Sequence, residues 1–409
     1  YTFEVTYLVQ ITLATLFTLS ILLGVSRVAI FVVLALIQRF RERKRVFPVG
    51  YTPSVSVIIA AYNEEKVIER TVQALLSSDY PNLEVLVVDD GSRDRTSEVV
   101  AEKFGSEPRV RAFRKENGGK ATALNRGIVA ARGDIIISLD ADTLFEPTTI
   151  SRLVRHFADP KVGAVSGNVR VGNTRNIWTR WQSLEYITSQ NFDRRGYDLL
   201  NCITVVPGAV GALRREAVLA VGGYTHDTLA EDTDLTWKLR RAGWRIVNDS
   251  SAMAYTEAPE TLRNLAKQRF RWAYGTLQCL WKHRVALGQH GAFGWIALPS
   301  LWLYQILFPA ISPFMDVAMI YSVFMGNFWQ FAQYFLLMSG IELAAATIAM
   351  IMDRGNWRLL PWLLLQRFVY RQLMYYVILK SLLAAIRGGA VGWGKLERTG
   401  TARIEPNAT

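Results

Sequence analysis

The sequence predicts an α/β domain on a mostly parallel sheet, held among membrane-spanning segments. Three observations predict it. Short β-branched runs alternate with helical stretches between about residues 51 and 291. Long apolar segments flank that region on both sides, and acidic or polar clusters stand where the strands end.

Composition sets the frame. The chain has 409 residues, 50% hydrophobic and 20% charged. That is too apolar for an ordinary soluble protein and leaves room for one globular domain plus spans. The net charge is +12, from 47 Lys and Arg against 35 Asp and Glu. Such a balance suits anionic lipid or a phosphorylated substrate, and the apolar segments favour both over nucleic acid. Cys202 and Cys279 lie far apart without CxxC spacing, which argues against a disulfide framework or zinc site and for a reducing, cytosolic setting. Because the sequence begins at Tyr1 and not at Met, a start further upstream is expected.

Residues 1–45 read as a transmembrane helix with a basic end. The apolar run over residues 7–37, at ~1.5 Å per residue, exceeds a ~30 Å hydrocarbon core. It lacks a small-residue cleavage site and closes in Arg39-Phe40-Arg41-Glu42-Arg43-Lys44-Arg45, so it is expected to be retained with the following domain in the cytoplasm. Residues 51–260 form the globular domain. Strands are expected at 55–59, 85–88, 110–113, 135–139 and 162–171, with helices over 64–76 and 120–131; an antiparallel α+β domain is the alternative.

Residues 261–291 read as a basic, aromatic amphipathic helix lying at the membrane surface. Residues 292–386 hold three apolar segments, at 295–324, 328–352 and 359–386. Pro299, Pro309 and Pro313 predict that the first is broken into an interfacial piece and a span. Arg367, Arg371 and Lys380 in the last must face protein, an aqueous path or the interface. Residues 387–409 are a tail.

Ligands of open α/β sheets sit beyond the carboxyl ends of the strands. Tyr62-Asn63-Glu64, Asp89-Asp90-Gly91-Ser92 and Asp140-Ala141-Asp142 all stand at such ends, and three tips together predict a nucleotide crevice. A single such Asp is often only a helix cap. Asp140 and Asp142, two apart on an extended strand end, share a side. Two neighbouring carboxylates call for a cation, and their hard oxygens suit Mg²⁺ or Mn²⁺ on a diphosphate. Lys120, after Gly118-Gly119 at a helix start, could reach a phosphate or uridine, although Gly-Gly-Lys is also an ordinary loop and lacks the P-loop spacing.

Glu231-Asp232 opens a helical run. Carboxylates there can serve the helix dipole, or one can act as general base towards an acceptor hydroxyl. Gln268, Arg271 and Trp272 fall at i, i+3 and i+4 on one helix face, where Arg can pair with a diphosphate and Trp can stack on a sugar.

This ordered set resembles the processive family 2 glycosyltransferases, the synthases of cellulose, chitin, hyaluronan and poly-N-acetylglucosamine. Their pattern of Asp, DxD, (T)ED and QxxRW appears as Asp89, Asp140/Asp142, Glu231-Asp232 and Gln268 to Trp272. The resemblance implies a GT-A cytosolic domain with α-helical membrane and interfacial helices. It implies that Tyr62, Glu64, Asp89 and Lys120 bind the nucleotide sugar, with Asp140 and Asp142 on the metal diphosphate. Asp232, beside Glu231, would take the acceptor proton, with Gln268, Arg271 and Trp272 on acceptor and diphosphate. Ala230 departs from the usual Thr before Glu-Asp. The tail, with Trp393, Lys395 and Arg398, is similar to that of the poly-N-acetylglucosamine branch and implies a gate over the nucleotide. A cytosolic tail conflicts with three full spans after the domain, so one segment must be interfacial or a hairpin.

The implied enzyme is an inverting, processive β-glycosyltransferase that polymerises N-acetylglucosamine from UDP-N-acetylglucosamine at the cell membrane. Its implied partners are the donor, the growing polysaccharide, membrane lipids and accessory export or synthase subunits. Another β-linked polymer, or a single-sugar transfer to a lipid phosphate carrier, is the alternative. A non-catalytic scaffold fits poorly with every acidic position intact, and a dinucleotide dehydrogenase fails because no strand runs into G-x-G-x-x-G.

Overall fold

The runs Val55–Ala61, Leu83–Asp89 and Ile135–Asp140 are rich in β-branched residues and buried on both faces, as strands covered by helices must be. In the computed structural model, which describes residues 2–324, 326, 328–388 and 398–404, they form the centre of a sheet. The chain runs α1 (Thr2–Lys44), β1 (Val55–Ala61), α2 (Ile68–Leu76), β2 (Leu83–Asp89), α3 (Thr96–Phe104), β3 (Val110–Arg114), α4 (Lys120–Ala130) and β4 (Ile135–Asp140). Then come β5 (Leu144–Phe145), α5 (Thr149–Val154), β6 (Val162–Val171), α6 (Ile177–Glu185), α7 (Phe192–Leu199), β7 (Gly211–Arg214), α8 (Arg215–Ala220), α9 (Glu231–Arg241) and β8 (Arg245–Thr256).

The strand order is β3-β2-β1-β4-β7-β6-β8-β5. The first four strands in space are parallel, so the α/β expectation holds there. β7 runs antiparallel to both β4 and β6, and β5 antiparallel to β8, which makes the far half mixed. β7 and β8 were not among the expected strands, because Gly211–Arg214 is short and β8 carries Asn248, Asp249, Ser250 and Ser251 in mid-run. Ile58, Leu86 and Ile136 fill the core on one face of the sheet; Val57, Val85 and Ile137 fill the other. This is the period-2 alternation of paired strands.

α10 (Leu262–Lys282) follows the domain, and then α11 (Leu298–Ser300), α12 (Phe308–Phe324), α13 (Phe328–Asp353) and α14 (Trp362–Ile386). Among the described residues, three helical stretches are long and apolar enough to cross a membrane: Ile21–Lys44, Phe293–Tyr321 and Ala332–Asp353. The expected break at the prolines is not there. Wide π-helical turns over Phe293–Ala297 and Leu301–Leu307 bracket Pro299, and Pro313 sits inside α12. A wider turn absorbs the carbonyl that Pro cannot bond.

α14 is not one of these stretches, and its charges meet protein. Arg371 pairs with Asp316 of α12 at 2.7 Å, and Arg367 with Glu342 of α13 at 2.8 Å. Lys380 lies 5.2 Å over the Phe270 ring of α10. α10 packs along α14 and against α9, which cover part of its apolar face, while Leu262 and Trp281 stay exposed. α1 is clipped to α7 by Arg27 to Asp193 at 2.5 Å and by Gln38 donating to Asp198 at 3.0 Å.

Candidate active site

Parallel register brings the predicted tips together. Ala61 pairs with Asp89 and Ala60 with Asp140, so the ends of β1, β2 and β4 lie side by side. The β1 tip is knitted to β2: the Asn63 N–H donates to Ser92 Oγ at 2.8 Å, and the Glu64 N–H to Thr96 Oγ1 at 2.7 Å. Asn63 takes a left-handed φ of 54°, which turns the chain so that Tyr62 and Glu64 flank the β2 tip. Asp89 is buried; its Oδ1 accepts from the Ser92 N–H at 2.8 Å and its Oδ2 from the Ser97 hydroxyl. Each oxygen keeps a second lone pair for a ligand.

Asp90, part of the β2 tip but given no role of its own by the sequence, has a structural task. It accepts from the Gly118 and Gly119 N–H groups at 3.0 and 2.7 Å and from Lys115 at 2.5 Å. It thereby sets the loop that starts α4 and delivers Lys120. Gly119 has φ +88°, a region open to glycine at little cost.

Lys120 bridges two elements. Its Nζ lies 2.7 Å from Asp140 at the β4 tip and 2.8 Å from Glu231 at the start of α9. The N-cap of α9 is Ala230, whose side chain makes no cap bond, and Glu231 and Asp232 stand in the first turn. Asp232 accepts from its neighbour Thr233 N–H at 2.7 Å and from the Gly208 N–H at 3.3 Å. Gly208 was also missed by the sequence reading. Its carbonyl accepts from the Asp140 N–H at 3.2 Å, and a Cβ there would stand 2.9 Å from Lys120 Nζ and 3.5 Å from Asp140. A side chain there would have to push the flexible end of Lys120 aside, while its contact with Asp140 would be ordinary.

Burial pushes Asp232 up to about 6, and the neighbouring Glu231 charge adds to this against Lys120. Burial raises Asp142 too, opposed by Arg398 and helped by Asp140 and Glu257. Burial acts the same way on Asp140, but Lys120 beside it outweighs this and holds it below its ordinary value. Among the described residues no group of three or more His, Cys, Asp or Glu could hold a metal. A buried carboxylate held above its normal range, next to a second one, fits a hard divalent cation that arrives on a diphosphate and takes its remaining ligands from phosphate and water.

Gln268 is buried, with its amide oxygen unbonded among the described residues. Burial and the neighbouring Arg398 lower Arg271, against Glu231, Asp140 and Asp142, which places Arg271 among the carboxylates. Arg269, the second residue of the same stretch, is structural. It is 1% exposed, pairs with Glu185 of α6 at 2.8 Å and bonds the Tyr370 hydroxyl of α14 at 3.1 Å. Its guanidinium lies 4.2 Å over Trp272, so one face of that ring is already used.

The tail returns to the crevice. Arg398 pairs with Asp142 at 2.9 Å and donates to the Glu257 carbonyl at 2.9 Å. The Glu257 carboxylate accepts from the Thr399 and Thr401 N–H groups at 2.6 and 3.0 Å, and Arg70 donates to the Gly400 carbonyl at 2.6 Å. Trp393 and Lys395 lie outside the described residues. Glu257 and Arg70 carried no sequence signal, since their partners are some 140 and 330 positions away.

A parallel sheet with carboxylates at the tips of β2 and β4 is the GT-A glycosyltransferase fold. A mannosyltransferase, PcManGT from Pyrobaculum calidifontis, solved in complex with GDP-Man and Mn²⁺, shares it with a TM-score of 0.58 and 24% identity, over 84% of this chain and 99% of that one. The profile described as Glycosyltransferase like family 2 matches residues 53–275, and the chain belongs to that family. Poly-beta-1,6-N-acetyl-D-glucosamine synthase of Staphylococcus aureus (strain COL) is 35% identical over 222 residues, 54% of this chain and 54% of that protein. The synthase of Staphylococcus epidermidis is 32% identical over 259 residues, 63% of this chain and 61% of the relative. The chain thus spans about half the length of the Staphylococcus aureus relative it matches.

Proposed function

We propose that the protein is an inverting, processive β-glycosyltransferase that adds N-acetylglucosamine from UDP-N-acetylglucosamine to a growing polymer at a membrane. The observation that carries this is the Lys120 bridge. It draws the metal-type Asp140 tip and the Glu231-Asp232 helix start onto one crevice beside Gly208. The relatives' names support the sugar.

Tyr62, Glu64 and Asp89 hold the nucleoside, at the joined ends of β1 and β2. Asp140 and Asp142 hold a divalent cation, Mg²⁺ or Mn²⁺, which when bound neutralises charge on the diphosphate leaving group. Lys120 and Arg271 supply further positive charge there. Asp232 accepts the proton of the acceptor hydroxyl as that oxygen attacks the anomeric carbon and the C–O bond to the diphosphate breaks. A carboxylate pushed up to about 6 suits this work near neutral pH. Gln268 and Trp272 position the acceptor, and Arg398 with Trp393 and Lys395 closes the tail over the nucleotide. Accessory export or synthase subunits complete the assembly.

The catalytic domain lies in the cytoplasm. Since the described tail rests on that domain, the chain crosses the membrane an even number of times between α10 and Arg398. α12 and α13 supply the two crossings, and α14 packs against α10 on the domain side. This favours the interfacial alternative for the last apolar segment.

The test is Asp232→Asn in purified protein given UDP-N-acetylglucosamine with Mg²⁺ or Mn²⁺. Polymer should fall by roughly 10²–10⁴ while UDP affinity stays near wild type. A β-1,6-specific glycosidase should degrade the wild-type product. Full activity in the variant, or a product that extracts into organic solvent without polymer, overturns the reading.

A further inference from the structure

A second cavity, of about 440 Å³, opens where the domain-facing end of α1 and the C-terminal end of α13 meet the β6–β8 edge. None of the residues assigned to the crevice lines it. Arg39 and Arg43 reach it from the last turns of α1, Arg195 from α7, and Arg354 from just past α13. Arg152, Arg155 and Arg170 line the domain side, and three carboxylates, Glu42, Glu146 and Asp353, complete the charged lining.

Four of the arginines are matched. Arg155 pairs with Asp249 at 2.7 Å, Arg195 with Glu42 at 3.2 Å, Arg170 with Asp353 at 3.9 Å and Arg152 with Glu146 at 4.0 Å. Among the described residues, Arg39, Arg43 and Arg354 have no ion-pair partner within 4.0 Å; the like charges of Arg43, Arg195 and Arg354 act on Arg39, against the opposite charge of Glu42. Arg170 Nε, a donor, is buried without a hydrogen bond. Like positive charges gathered round an unbonded donor favour an anion.

Position says which anion. The candidate spans end at Lys44 and Asp353, so Arg39, Arg43 and Arg354 stand where hydrocarbon gives way to head groups. A basic pocket at that level is matched to lipid phosphate. We propose that this cavity binds the phosphodiester head group of an anionic membrane phospholipid, with Arg39, Arg43 and Arg354 as its counter-charges. The bound lipid ties the ends of α1 and α13 to the sheet. The inference rests on α1 and α13 lying in a bilayer and on no part of the glycosyl-transfer reading.

The test uses the full chain in bilayer discs of phosphatidylcholine with phosphatidylglycerol, followed by native mass spectrometry of the lipid retained in detergent. Wild type should keep phosphatidylglycerol and shed phosphatidylcholine. Arg39→Gln/Arg43→Gln/Arg354→Gln should retain on the order of 100-fold less. These changes orphan no carboxylate, and thermal unfolding checks that the fold survives; Arg354→Gln alone, at an exposed position, should still lose roughly fivefold. Equal retention by wild type and both variants, or equal retention of the two lipids, overturns the proposal. So does binding of inorganic phosphate to lipid-free wild type with no phosphatidylglycerol retained, which would make the ligand a soluble phosphate. Failure of wild type to partition with vesicles would refute the membrane placement itself.

Discussion

Glu257→Gln should release the tail from the crevice. The buried Glu257 carboxylate accepts from the Thr399 N–H at 2.6 Å, the Thr401 N–H at 3.0 Å and the Thr399 hydroxyl at 3.1 Å. Each bond to a charged acceptor is worth about 1.5–3 kcal/mol. Glutamine keeps one acceptor oxygen and turns its amide NH₂ towards a backbone N–H. It forfeits one charge-assisted bond outright and weakens the other, for a loss of about 2–4 kcal/mol. That shifts the docking equilibrium by roughly 30- to 1,000-fold. Hydrogen exchange read by mass spectrometry is the assay. The amides of Thr399, Thr401 and Arg403 should lose protection while those of β8 keep theirs, which separates tail release from unfolding. Arg403 belongs in that set because its N–H bonds the Gly172 carbonyl at 2.9 Å. Unchanged protection at Thr399 and Thr401 would refute the idea that Glu257 holds the tail.

Arg269→Gln leaves Glu185 without its cation and should cost near the low end of about 3–5 kcal/mol, since Glu185 keeps 20% exposure. Arg269→Gln/Glu185→Gln should cost less than the two single changes summed; additive losses in thermal unfolding would show that the pair does not couple. Trp272→Ala removes a ring whose contact with Arg269 is worth about 1 kcal/mol, so the fold should survive while chain elongation falls more than UDP affinity. If UDP affinity falls most, the acceptor assignment is wrong. Asp232 is protonated below about 6 and charged above it, so polymer formation should drop about tenfold per unit as pH falls below 6. A rate flat down to the ordinary carboxylate range near 4 would exclude Asp232 as the base.

Local chemistry made much of this protein legible in its sequence. Apolar β-branched runs fixed β1 to β4, and the parallel register then placed the tips of β1, β2 and β4 side by side as their order implied. The Glu231–Arg241 helix starts where its carboxylates predicted. What period and spacing could not reach were the partners of single polar residues. Asp90 holds the Lys120 loop, Gly208 brings backbone against Asp140, and Arg269 serves the fold although it sits inside the motif.

By itself, then, the sequence determined the order of strands and helices, the apolar spans and the carboxylates that make the crevice, because each of these is written in neighbouring residues. Tertiary structure alone decided where the tail and α14 go. The bonds that dock Thr399, Gly400 and Thr401 join residues more than 140 positions apart, and the charges of α14 find Asp316 and Glu342, and its Tyr370 hydroxyl finds Glu185, only once the helices have packed. Buried charge is tolerated only where a partner arrives in space, and no local pattern records that meeting.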